Sequence, residues 1–194
     1  ETSDALPGMG VRSVDYKYNV DEYAEFLHKI LLPNLVARGI KIPDDPKKRV
    51  LIGSSLSGTA SLYIGLTYPE WFGKIVAQSP SVNNARILNK IIDKGIKPPP
   101  PDVFLSCGNF ESPVYAKILN IPFAKELEAR LGIKLHIYPH GHQMEGWSHQ
   151  LEKSLPALGL KQNTKKSMEL PSVSSQSIFS QLQSNTVPHN TLRK

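Results

Sequence analysis

The sequence predicts an α/β fold, a parallel sheet flanked by helices. Two observations carry it. Four short apolar runs, at 49–53, 73–79, 103–107 and 134–138, each lead into small or turn-forming residues. Segments with helical spacing of apolar residues separate them. Such alternation builds βαβ units, whose right-handed crossovers bring the C-terminal ends of all strands to one edge of the sheet. Ligands of open sheets bind along that edge.

Residues 1–20 lack a clear period and are read as an irregular N-terminal segment. A helix is expected from Glu22 to Arg38, capped by Asp21, with Tyr23, Phe26, Leu27, Ile30 and Leu31 on its apolar face. Pro33 should kink or divide it, and Gly39 ends it. A polar link over 43–48 leads to the first strand. A helix over 57–67 and the second strand follow, then a helix over 83–94. The four prolines 98–101 form a stiff, extended linker to the third strand, which ends at Gly108. A long helical stretch over 113–131 carries Pro122 inside it. The fourth strand runs into Pro139-His140-Gly141-His142, and a helix over 145–158 completes a domain spanning 21–160. Beyond it Ser, Gln, Asn, Thr and Lys dominate, so 161–194 is read as a disordered basic and polar tail.

The 194 residues are enough for one domain with a sizeable core. Of the net charge of +6, the part from residue 161 onward supplies +4 and the first 160 residues only +2. No basic stripe is interleaved with aromatics, so nucleic acid is not an expected partner. No apolar run approaches the ~20 residues that span a bilayer. No signal peptide is recognisable, and the chain begins at Glu1, which reads as a mature or shortened chain and leans toward the cytoplasm. Cys107, the single cysteine, lies within an apolar strand and reads as core filler.

The run Arg49-Val50-Leu51-Ile52-Gly53-Ser54-Ser55-Leu56-Ser57-Gly58 carries the chemistry. A strand entering small residues before a helix is the construction of a nucleophile elbow. With Ser55 as nucleophile, the residues two before and two after are Gly53 and Ser57, so the pattern is G-x-S-x-S. A serine needs a base, usually a histidine held by a carboxylate, in the chain order Ser, acid, His. His28, His136, His149 and His189 lie on helices, mid-strand or in the tail. His140 and His142 lie just past a strand, and either could serve. Among Glu70, Asp93, Asp102, Glu111, Glu126 and Glu128, only Glu111 follows the C-terminal end of a strand, although its place near a helix start would also favour its charge. The Leu56 N–H is one expected oxyanion donor. A second donor is not readable, because no strand is evident before residue 49.

Gly53-Ser54-Ser55-Leu56-Ser57-Gly58-Thr59-Ala60-Ser61-Leu62-Tyr63, Tyr68-Pro69-Glu70-Trp71-Phe72-Gly73 and Gln78-Ser79-Pro80-Ser81 together resemble the esterase family that contains enterochelin esterase and esterase D, within the α/β-hydrolase superfamily. The family places its acid a few residues after a glycine-ended strand, as Glu111 follows Gly108. Its histidine sits in a G-G-H loop with a tryptophan five residues on, which Gly141, His142 and Trp147 match; this favours His142 over His140. Ser54, His140 and Trp147 are then expected near the substrate. The resemblance covers roughly residues 12–160. It departs at Ser57, where the family has the first glycine of a G-G pair, at His140 in place of glycine, and at Ser148, where an arginine often stands.

The resemblance implies an α/β-hydrolase-type sheet of which this chain is the C-terminal portion. It also implies a serine esterase acting on a small-molecule ester, closest to siderophore cleavage, with no metal or cofactor. Related members act on formylglutathione, acetylated or feruloylated sugars, or transfer mycolyl groups. The family has several strands before the nucleophile strand, and the chain is expected to begin after them, leaving Val50-Leu51-Ile52 at a sheet edge. The alternative is a truncated hydrolase-fold protein without turnover, serving at most as a binding module.

Overall fold

A computed structural model describes residues 14–81, 100–114 and 121–160. The helix expected over 83–94, residues 98–99 of the proline linker, the 115–120 part of the long helical stretch and the tail beyond 160 lie outside the described residues. Four parallel strands, β1 (Val50–Ser54), β2 (Lys74–Gln78), β3 (Asp102–Gly108) and β4 (Leu135–Tyr138), form one sheet in the order β1-β2-β3-β4. Their register pairs Val50 with Lys74, Lys74 with Asp102, and Leu105 with Leu135. The strand positions agree with the apolar runs to within a residue or two at each end.

Before the sheet, α1 (Val20–Glu25) continues through a wider π-helical turn (Phe26–Leu31) into α2 (Leu32–Ala37). The widening precedes Pro33, whose ring cannot accept the ordinary packing against the turn before it. Asp21 is not the helix cap. Val20 opens the helix, Asn19 occupies the cap position, and Asp21 instead accepts hydrogen bonds from Tyr63 Oη at 2.7 Å and Tyr68 Oη at 2.8 Å. One buried and one half-buried phenol needing an acceptor outweigh a local cap. Within the segment read as irregular, Val14–Tyr18 forms a π-helical turn.

The helix α3 (Leu56–Thr67) is buried from Gly58 to Thr67, as befits a helix covered on all sides. Its Leu62, Tyr63, Ile64 and Leu66 pack with Ile75 and Ala77 of β2, Leu105 of β3, and Val20 and Ala24 of α1. Gly65 lets the two elements close, since a β-carbon there would overlap the Ile75 side chain. Phe123, Ala124 and Leu127 of α4 (Ile121–Leu131) join the same core. Pro122 is the second described residue of α4, and residues 115–120 before it lie outside the described residues. Alternate residues Val76 and Phe104 face the other side of the sheet, beneath Leu151 of α5 (Met144–Ala157) and Leu158.

Among the described residues β1 pairs with β2 on one side and with no strand on the other, and Ile52 is 44% exposed. No helix of the described residues is long and apolar enough to cross a membrane. Cys107 is buried, and burial together with the nearby Glu111 charge pushes its thiol up to about 11, which keeps it protonated and inert.

Candidate active site

The site is assembled at the C-terminal edge of the sheet. Between β1 and α3, Ser55 adopts φ 57° and ψ −123°, a conformation that L-residues reach only under strain. Its N–H donates to the Gln78 carbonyl at 2.9 Å, and its carbonyl accepts from Thr59 N–H at 3.2 Å and Ser81 N–H at 3.1 Å. The turn is tight enough that a β-carbon on Gly53 would overlap the Ser57 carbonyl. Ser57 fits where the related pattern has glycine because its hydroxyl is used locally. It donates to the Ser54 carbonyl at 2.8 Å and accepts from the Ser54 N–H at 3.1 Å. Leu56 is the first residue of α3, so its N–H has no partner within the helix.

Two further strand ends bring the titratable groups to Ser55. Past β4, His142 Nε2 lies 2.9 Å from Ser55 Oγ, and its Nδ1 lies 3.2 Å from Glu111 Oε2. A carboxylate only accepts, so in the neutral imidazole Nδ1 carries the proton, and the Nε2 lone pair faces the Ser55 hydroxyl. Glu111 follows β3, with a side chain wholly shielded from solvent. Burial pushes its carboxyl up. The hydrogen bonds from His142, Ser79 Oγ and the Gly108 N–H at 2.8 Å outweigh burial and hold it below the ordinary range. Gly108 is required at this strand end, because a β-carbon would overlap the His140 carbonyl of the returning loop.

The two histidines past β4 separate clearly. His140 turns onto α5, its ring 5.4 Å from that of His149 and its β-carbon close against Gly146, while His142 meets Ser55 and Glu111. Trp147 sets its ring edge-on to His142 at 5.0 Å and donates its indole N–H to Ser79 Oγ at 3.1 Å. Ser54 points to the scaffold. Its hydroxyl donates to Gln78 Oε1 at 2.9 Å, and Gln78 Nε2 donates to the Trp147 carbonyl at 2.6 Å.

Sequence reasoning singled out neither Ser79 nor Ser81 as a site residue. Ser79, at the end of β2 with φ 45°, is fully buried and donates to Glu111 Oε1. Ser81 Oγ lies 3.1 Å from Ser55 Oγ. With the Ser55 proton directed at Nε2, Ser81 is the donor of that pair. The only available signal was the S-x-S spacing of Ser79 and Ser81 after the strand. Among the described residues no group of His, Cys, Asp and Glu could hold a metal ion. The arrangement can deprotonate a serine hydroxyl, return the proton to another oxygen, and keep the imidazolium beside a fixed negative charge.

Comparison with known proteins bears on the family and the fold. The model of the family described as "Putative esterase" matches residues 10–107, half of the chain. The iron(III) enterobactin esterase of Dickeya dadantii is 45% identical over 51 residues, which are 26% of this chain and 12% of that protein. An enterobactin esterase structure from Shigella flexneri, solved with 2,3-di-hydroxy-N-benzoyl-glycine, superposes with a TM-score of 0.63 at 25% identity. It covers 76% of this chain and 40% of that one. The fluorophosphonate-binding serine hydrolase FphF of Staphylococcus aureus shares the fold with a TM-score of 0.58 at 12% identity, covering 81% of each chain. The chain thus spans well under half the length of its enterobactin esterase relatives. It belongs to the family whose model it matches.

Proposed function

We propose that this member of the esterase family hydrolyses carboxylic esters through Ser55, His142 and Glu111. The observation that carries the reading is the strained Ser55, with its Oγ 2.9 Å from His142 Nε2, whose other nitrogen faces the buried Glu111 carboxylate. As Ser55 Oγ bonds to the ester carbonyl carbon, its proton passes to Nε2, and the carbonyl π pair moves onto oxygen beside the Leu56 N–H. The tetrahedral species collapses. The C–O bond breaks, and the Nε2 proton goes to the leaving alkoxide, releasing the alcohol and an acyl-Ser55. Water then repeats the sequence, giving up a proton to Nε2, and the acid leaves as Ser55 is restored. Glu111 stays ionised throughout and stabilises the imidazolium. The names of the enterobactin esterase relatives support a siderophore ester as the substrate class.

The test is labelling by a fluorophosphonate and hydrolysis of p-nitrophenyl esters, followed by a panel of siderophore esters. Ser55→Ala should abolish labelling and lower kcat by ~10⁶-fold. One observation favours a second reading, a hydrolase fold without turnover: β1, which presents Ser55, is unpaired on one side among the described residues. A wild-type chain that takes up no fluorophosphonate would select that reading.

A further inference from the structure

We propose that Ser79 is a positioning residue of this site: its hydroxyl, oriented by the Trp147 indole N–H, holds the Glu111 carboxylate so that Oε2 is left to His142. The inference rests on the reading of Ser55, His142 and Glu111 as an acyl-transfer site, and it adds a residue that acts through the acid.

Four observations point to it. The Ser79 backbone has φ 45°, where glycine is the unstrained choice, so the side chain is held there against its backbone preference. The residue is fully buried, and its hydroxyl is engaged on both sides. The polarity of the chain is fixed, because an indole N–H can only donate. Trp147 therefore occupies a lone pair of Ser79 Oγ, and the single hydroxyl proton is left for Glu111 Oε1. Finally, Oε1 also receives the Gly108 N–H at 2.8 Å. Two donors converging on one oxygen fix the plane of the carboxylate, and Oε2 then faces His142 Nδ1 at 3.2 Å. Ser79 at the end of β2 thereby ties α5, which carries Trp147, to the loop that carries the acid.

The test uses the full chain with Ser79→Gly, which suits the backbone and removes the hydroxymethyl group, Trp147→Phe, which keeps an aromatic ring but has no N–H, and the double variant. Removing a hydrogen bond to a charged group should lower kcat for p-nitrophenyl ester hydrolysis by about 10- to 100-fold in Ser79→Gly. KM should stay within about twofold, because no substrate contact is lost. Trp147→Phe should lower kcat less, and should cost nothing further in the Ser79→Gly background. In proton NMR the downfield resonance of the His142–Glu111 hydrogen bond should move or vanish in Ser79→Gly while circular dichroism is unchanged. An unchanged resonance, an unchanged kcat, or independent additive losses in the double variant would overturn the proposal. A wild-type chain that neither hydrolyses nor labels would sink the esterase reading instead, and the resonance would still decide whether Ser79 positions Glu111.

Discussion

The two halves of the site are held by different means. The elbow half, Gly53 to Gly58, is local: a strained Ser55, a glycine that a β-carbon would turn into a clash, and a Ser57 hydroxyl bound to the backbone of Ser54. It is mounted on β1, at the edge of the described sheet. The relay half is distributed. Glu111, His142, Ser79 and Trp147 come from the ends of three strands and from α5, and they are joined by hydrogen bonds largely shielded from water. A local turn is specified by sterics among a few adjacent residues. A distributed network exists only once the sheet has brought its strand ends together, so it depends on every element beneath it.

That contrast can be broken at several points. After Ser55→Ala, the largest effect is expected from Glu111→Gln. The amide keeps the shape but loses the charge that faces the imidazolium, so kcat should fall ~10³- to 10⁴-fold with the fold intact. A loss below about tenfold would mean that the relay half does not set the rate.

Acidification should expose the same group through stability. The Glu111 carboxyl is held below its usual range by hydrogen bonds that outweigh its burial. A carboxylate lowered on folding contributes stability that is complete above its unfolded value of about 4.3, and that is lost as pH falls through its folded value. Melting temperatures followed downward from about pH 6 should therefore drop more steeply for wild type than for Glu111→Gln. Parallel curves would remove Glu111 from the stability account.

The smallest effect is expected on β1 just outside the elbow. Ile52, 44% exposed on β1, can be replaced by Lys with a stability change within about 0.5 kcal/mol. The charge should also reduce self-association along the edge strand, measurable by sedimentation. A large destabilisation would show that Ile52 is covered in solution.

The legibility of the molecule follows the same division. The elbow could be read from ten consecutive residues because the demand on Gly53 is steric and local. The strands were legible because Val50-Leu51-Ile52 and Lys74 to Gln78 are short apolar runs between turn formers, and β2, buried on both faces, can hardly be polar. Asp21 was misassigned because a cap and a buried acceptor look alike in sequence, and the two phenols it serves come 42 and 47 residues later. Ser79 went unrecognised for a similar reason. Its partners, Glu111 and Trp147, are 32 and 68 residues away. His140 and His142 are two residues apart in one loop; their place past the strand leaves both open, and only the spacing of Gly141, His142 and Trp147 in the family resemblance favours His142.

By itself, the sequence determined the alternation of strands and helices, the parallel sheet that alternation requires, and the tight turn at Ser55. These follow from hydrophobic periodicity, crossover handedness and the size of a glycine, which operate over a few residues or between neighbouring elements. Tertiary structure alone decided that Ser79 and the Gly108 N–H hold the acid, and that Asp21 serves two tyrosines. Those outcomes depend on buried donors and acceptors finding partners across the sheet, and a pairing of that kind has no signature until the strands that carry it are side by side.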